Sequence, residues 1–168
     1  NGHCGVCGVK VNGKEVLACR KSAEPVLEIG PLSNVQVLKD LVIDREDYGL
    51  ARPQLRLFLE RQCKAETEPE RIDMQAFEVF KMASRCSECM CCVSVCPAFR
   101  EKPHQFAGPM ALALLARHYF DPREGMSRGL MARDEGIDHC IECNLCSEVC
   151  RLGVNPAKLI RIMKNELG

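Results

Sequence analysis

Apolar residues in the first 50 positions fall in short runs punctuated by glycine, a pattern that predicts β-strands at 8–11, 15–18 and 35–38. Asn12-Gly13 separates the first two runs and predicts a two-residue hairpin turn. The period changes at Pro53. Leu55, Leu57, Phe58 and Leu59 open a helical stretch, and the polar run 64–71 separates it from a helix expected over 74–85. Further helices are expected over 108–118, 127–135 and 155–167, the last with Asn155 as N-cap and Pro156 at its first position. Met110, Leu112, Leu114 and Leu115 lie at near-helical spacing, as a core-facing stripe does. The expected fold class is α+β, with a small sheet domain over 1–50, a linker with a helix over 51–73 and an all-α domain over 74–168.

At 168 residues the chain has room for one or two small domains, and with 5% aromatic residues and no Trp it lacks the material for a large aromatic-lined substrate pocket. Lys plus Arg number 23 and so do Asp plus Glu, so a protein is a better partner than nucleic acid or another polyanion. The longest aliphatic run, 111–116, cannot cross a bilayer, and no basic-then-apolar leader opens the chain. The expectation is a soluble protein of a reducing compartment, with no transmembrane segment of its own.

Thirteen cysteines change the picture. Such density fits a disulfide scaffold, a zinc protein or an iron–sulfur protein, and spacing separates them. Cys86, Cys89, Cys92 and Cys96 are spaced x2, x2, x3 with Pro97 behind them; Cys140, Cys143, Cys146 and Cys150 repeat the spacing, with Arg151 in place of the proline. In two-cluster ferredoxins the first three cysteines of such a run hold one cluster and the fourth crosses to the other. Two 4Fe-4S clusters are therefore expected, one on Cys86, Cys89, Cys92 and Cys150, the other on Cys96, Cys140, Cys143 and Cys146. Two-residue gaps let three thiolates wrap one face of a cubane, and the crossed fourth ligand lets the metal tie the two runs together. A zinc-stabilised interaction module is the alternative from another class, although zinc sites pair two C-x2-C units.

A second motif stands at the N-terminus, Cys4-Gly5-Val6-Cys7 and then Leu17-Ala18-Cys19. It is a plant-type 2Fe-2S pattern without its head, since the full pattern asks for another cysteine five positions before Cys4. Cys4, Cys7 and Cys19 are candidate ligands, and upstream residues carrying the fourth are expected because half a cluster-binding sheet would have unpaired edges.

With these motifs, together with Val37-Leu38-Lys39-Asp40-Leu41-Val42-x-Asp44, Gly108-Pro109 and Val154-Asn155-Pro156-x-Lys158, the chain resembles, nearly end to end, the iron–sulfur subunit of succinate dehydrogenase and fumarate reductase. The resemblance implies a β-grasp 2Fe-2S ferredoxin-like domain, here truncated, followed by an α-helical ferredoxin domain with two 4Fe-4S clusters. It implies relay of single electrons between an FAD-containing flavoprotein subunit and a quinone- or thiol/disulfide-linked partner, with substrate chemistry on the flavoprotein. It also implies a cytoplasmic subunit that meets a membrane only through its partners. Cys143 stands where quinone-linked members have an apolar residue and build a three-iron cluster; Arg100 and Glu101 replace aromatic residues, and Ile141 stands where such members often have His. The likeness is nearest to the thiol-linked fumarate reductases, in which a cysteine-rich heterodisulfide-reductase-type partner takes over from the last cluster; a membrane anchor is the other partner that the resemblance implies. The iron–sulfur subunit of another flavoenzyme, such as a glycolate or glycerol-phosphate dehydrogenase, is the rival. Those relatives share the paired runs but lack the motif of Cys4, Cys7 and Cys19.

Cys91 is one cysteine more than the pattern needs and is expected as a small buried hydrophobe beside a cluster, while Cys63 is expected to be packed or at the surface. His139 could donate towards the second cluster, but a surface position is the expectation for it and for His3, His104 and His118. Lys39, Lys158, Arg161 and Lys164 are expected on a solvated face.

Overall fold

The computed structural model describes residues 2–46, 48, 52–61 and 73–168; Cys63 and the polar run 64–71 lie outside the described residues. Strands β1 (Gly8–Val11) and β2 (Lys14–Leu17) form the expected hairpin, in register from Gly8↔Leu17 to Val11↔Lys14. Asn12 and Gly13 take φ of 50° and 77°, the two left-handed positions that a tight hairpin needs. β3 (Ile29–Gly30) pairs with the other edge of β1, giving the order β2-β1-β3. The strand expected at 35–38 lies slightly later, as β4 (Val37–Lys39), and pairs instead with β5 (Val42–Ile43) in a separate ribbon turning at Asp40, φ 52°.

The helical domain is organised around α4 (Gly108–Tyr119). Met110, Leu112, Leu114 and Leu115 are each at most 2% exposed, and so are their neighbours Ala111, Ala113 and Ala116. A helix apolar on every face must be enclosed. α1 (Met74–Ala83), α2 (Cys91–Ser94), α5 (Arg128–Asp134) and α7 (Pro156–Leu167) enclose it. Asp73 caps α1 by accepting from the N–H groups of Gln75 and Ala76 at 3.1 and 3.0 Å, and Asn155 caps α7 by accepting from Lys158 at 3.3 Å. Short helices α3 (Pro97–Glu101) and α6 (Leu145–Glu148) carry the ends of the cysteine runs. No helix among the described residues is long and apolar enough to cross a membrane.

Among the described residues 52–61 the helix expected from Leu55 does not form. One 3-10 turn, Pro53–Leu55, ends at Arg56 with φ 44°. The reason lies on α5. Arg128, 2% exposed, donates to the carbonyls of Leu55 (3.1 Å), Arg56 (2.8 Å) and Phe58 (2.7 Å), groups that a helix would have used internally. Its charge is met by Glu124 Oε2, at 3.0 Å from Nε and 2.7 Å from Nη2. Burial pushes the Glu124 carboxyl up, but the Met126 N–H and the Arg128 guanidinium more than offset this and hold it below its ordinary range.

His118, expected at the surface, is buried beside this pair. Its Nε2 faces Arg117 at 3.3 Å and its Nδ1 faces Glu124 Oε2 at 3.6 Å. Burial, then the charges of Arg117 and Arg128, pull its pKa down to about 4, against the partial support of Glu124 and Asp121. The unfolded chain therefore takes up this proton from its ordinary 6.5 downward while the folded chain does not until about 4, so stability is lost as pH falls through that window. Between pH 7 and 5 the loss should be about 2 kcal/mol. Thermal midpoints at the two pH values check it, and His118→Asn should flatten the dependence; an equally steep dependence in the variant would assign it elsewhere.

Candidate metal centres

The two cysteine runs fold alike. Each begins on extended backbone, places the second residue after its first cysteine in the left-handed region (Glu88 φ 54°, Glu142 φ 56°), and does so again after its second cysteine (Met90 φ 64°, Asn144 φ 67°). Backbone that alternates in this way turns successive N–H groups inward and builds an anion-binding nest. The N–H of Glu88 donates to Cys86, that of Cys91 to Cys89, and that of Glu142 to Cys140. At the start of α3 the N–H groups of Ala98 and Phe99 donate to Cys96. For L-residues these left-handed positions are sparsely populated, so the inward N–H groups are held there against local preference.

Cys86, Cys89, Cys92 and Cys150 line one cavity, together with Cys91 and apolar Met90, Met110, Ala113, Leu152 and Val154. Cys96, Cys140, Cys143 and Cys146 line a second, with Ala98, Phe106, Pro109, Ile141 and Ala157. The fourth cysteine of each run thus lies with the first three of the other. Among the described residues no three His, Cys, Asp or Glu side chains close on a single ion.

The chemistry of this lining fits an iron–sulfur core. Burial pushes Cys86 and Cys146 up to about 12 and raises Cys92, Cys96 and Cys140, with neighbouring cysteines adding to the effect. Several thiolates crowded into an apolar void need a polycation between them, which an iron core supplies. Ser87 lines the first cavity, and its buried Oγ has no hydrogen-bond partner among the described residues, as suits a donor to a bound cluster. Cys91 is 3% exposed and its Sγ lies 3.9 Å from the Val16 carbonyl.

In the N-terminal domain Cys7 and Cys19 meet, and Gly2 N–H reaches Cys19 Sγ at 3.2 Å. These contacts, the one with Cys7 first, pull the Cys19 thiol below its ordinary value. Cys4 is exposed on the same loop. That loop lies directly on the first four-cysteine cavity. A Cβ added at Gly5, φ 68°, would stand 2.0 Å from the Ser87 carbonyl oxygen, and one at Gly8 would stand 2.4 Å from that of Cys89. Only glycine permits this approach.

Three residues that sequence reasoning passed over fasten the arrangement. Asn34 donates from Nδ2 to the carbonyls of Val93, Ser94 and Cys96 at 3.0, 2.8 and 3.1 Å, tying the sheet domain to the end of the first run. Arg45 donates to the Glu88 carbonyl. Lys164, expected on a solvated face, donates from Nζ to the Cys140 carbonyl at 3.2 Å and pairs with Glu142 at 3.0 Å; Arg161 meets the same carboxylate at 3.2 Å. Helical spacing of charges looks the same whether the face meets water or a loop. His139 faces Lys102 Nζ through Nδ1 at 3.2 Å.

Fold and site together define an iron–sulfur protein of two joined modules. The model of a 2Fe-2S iron-sulfur cluster binding domain matches residues 1–49, and that of a 4Fe-4S dicluster domain matches residues 82–154. The chain is 33% identical to the fumarate reductase iron-sulfur subunit of Mycobacterium tuberculosis over 172 residues, covering 97% of this chain and 69% of that protein. It is 34% identical to a subunit of the fumarate reductase (CoM/CoB) of Methanothermobacter marburgensis over 154 residues, 92% of this chain and 30% of that one. In three dimensions it matches a chain of the Mycobacterium smegmatis Sdh1 complex in the apo form with a TM-score of 0.82 at 26% identity, covering 99% of this chain and 74% of that one. The chain belongs to the iron–sulfur subunit family of succinate dehydrogenase and fumarate reductase. It spans 30 to 31% of the length of the three methanogen relatives it matches.

Proposed function

We propose that this chain is an electron-transfer subunit of a succinate dehydrogenase/fumarate reductase-type complex, in which Cys86, Cys89, Cys92 and Cys150 hold one 4Fe-4S cluster and Cys96, Cys140, Cys143 and Cys146 hold another. Cys4, Cys7 and Cys19 are three of the ligands of a 2Fe-2S cluster. Bound clusters of these kinds take up and give back one electron at a time. The observation that carries the reading is the row of sites. The loop of Cys4 and Cys7 rests on Ser87 and Cys89 of the first cavity, and Cys92 of that cavity lies close enough to Cys146 of the second for their charges to interact. The residues of the chain hold, insulate and align; no acid–base group for substrate is needed on it.

The entry side of this row takes an FAD-containing flavoprotein subunit, as the family likeness supports. At the far end Cys143 and Leu145 are exposed and Ile141 is 64% exposed, an apolar edge that suits a protein surface. A cysteine-rich, thiol/disulfide-linked partner is the reading supported there by the likeness to the CoM/CoB fumarate reductase.

Metal analysis of the anaerobically purified protein tests the reading. The two four-iron sites should give about eight iron atoms and as many acid-labile sulfides per chain, more where the two-iron site is filled. Zinc without sulfide would overturn it and leave a zinc-stabilised interaction module.

A further inference from the structure

We propose that Arg45 positions the first four-iron site and sets its potential from across the domain boundary. The proposal rests on the reading that Cys86, Cys89, Cys92 and Cys150 hold a cluster. Arg45 lies two residues after β5, in the sheet domain, and its guanidinium donates from Nη2 to the Glu88 carbonyl in the helical domain. Glu88 is the residue held at φ 54° between Cys86 and Cys89, so this bond fixes the 88–89 peptide and with it the direction of Cys89. The same charge reaches the Cys89 sulfur.

The repeat supplies an internal comparison. The equivalent loop of the second run also receives a cation on a backbone carbonyl, Lys164 on Cys140, but Lys164 is paired with Glu142 at 3.0 Å. Arg45 has no carboxylate partner among the described residues. Its charge is therefore the less compensated of the two. A cluster held by four thiolates is an anion whose reduced form carries one more negative charge, and a nearby uncompensated cation favours that form. Arg45 thus raises the potential of the first cluster, and does so only while the two domains are docked.

The test uses the anaerobically purified complex carrying Arg45→Met, Arg45→Gln or Arg45→Lys, with the midpoint potential of each cluster followed by electron paramagnetic resonance at poised potentials and iron and sulfide measured in parallel. The Met and Gln variants should shift the first cluster to a more negative potential and leave the second where it is. Lys should keep the wild-type value. Gln removes the charge but keeps a side-chain N–H donor, so a role in positioning alone would move its potential little, and it carries the test if the Met variant fails to assemble. Unchanged potentials in the Gln variant, or an equal shift of both clusters, would overturn the effect of Arg45 on the potential while leaving the site reading intact. Absence of four-iron signals from the wild type would overturn both.

Discussion

Arg128→Met should lower the thermal unfolding midpoint by roughly 10 °C while leaving the spectra of the metal centres unchanged. The guanidinium is 2% exposed and meets two sets of acceptors, the Glu124 carboxylate and the carbonyls of Leu55, Arg56 and Phe58. Methionine fills much of the volume but satisfies neither. Breaking a buried ion pair from one side leaves an uncompensated charge and costs about 3–5 kcal/mol, a large part of the roughly 5–15 kcal/mol by which domains are stable. Protonating Glu124 would relieve some of that cost, so the variant should also be less destabilised at pH 5 than at pH 7 relative to wild type. Arg128→Met combined with Glu124→Gln should recover part of the loss, because no lone carboxylate then remains buried. A midpoint within about 2 °C of wild type would show that the clamp is replaced by water, and that segment 52–60 is held by Leu55 packing alone.

That clamp was hidden from sequence reasoning for a physical reason. Leu55, Leu57, Phe58 and Leu59 carry a helical apolar pattern, yet their backbone is taken by a side chain about 70 positions away, and no local periodicity reports such a capture. The same holds for Asn34, whose amide spans about 60 positions to reach the first cysteine run, and for His118, whose burial follows from where α4 and α5 pack. The hairpin at Asn12-Gly13, the cap at Asn155 and the core stripe on α4 depend on neighbours within a few residues, and those are visible in the chain itself. The cysteine runs fall between these cases. Each C-x2-C-x2-C segment is a local device, closed by its own left-handed turns. The position of the fourth cysteine is non-local, but a repeat constrains it, since a run that gives its fourth thiol away must receive one from its twin. Arg45 and Lys164 had no such repeat to betray them; each comes from a different element and reaches a different carbonyl.

Cys143→Ile should convert the second cluster from a four-iron to a three-iron form, with one iron lost per chain and the other centres untouched. Cys143 is the exposed member of its set, whereas Cys96 and Cys146 are buried and Cys140 is half-buried. On the proposed ligand set, the iron that Cys143 would hold would be the one nearest solvent and the easiest to lose. Isoleucine cannot coordinate, and at this edge it joins Ile141 and Leu145, already exposed, so core packing is not disturbed. The N–H donors that support the rest of the site, from Glu142 to Cys140 and from Ala98 and Phe99 to Cys96, belong to backbone that the substitution leaves in place. Iron analysis should fall by about one from about eight in the helical domain, and the oxidised protein should gain the paramagnetic signal of a three-iron cluster in stoichiometric amount. Loss of about four irons would instead make Cys143 essential for assembly, and wild-type iron with no new signal would remove Cys143 from the ligand set.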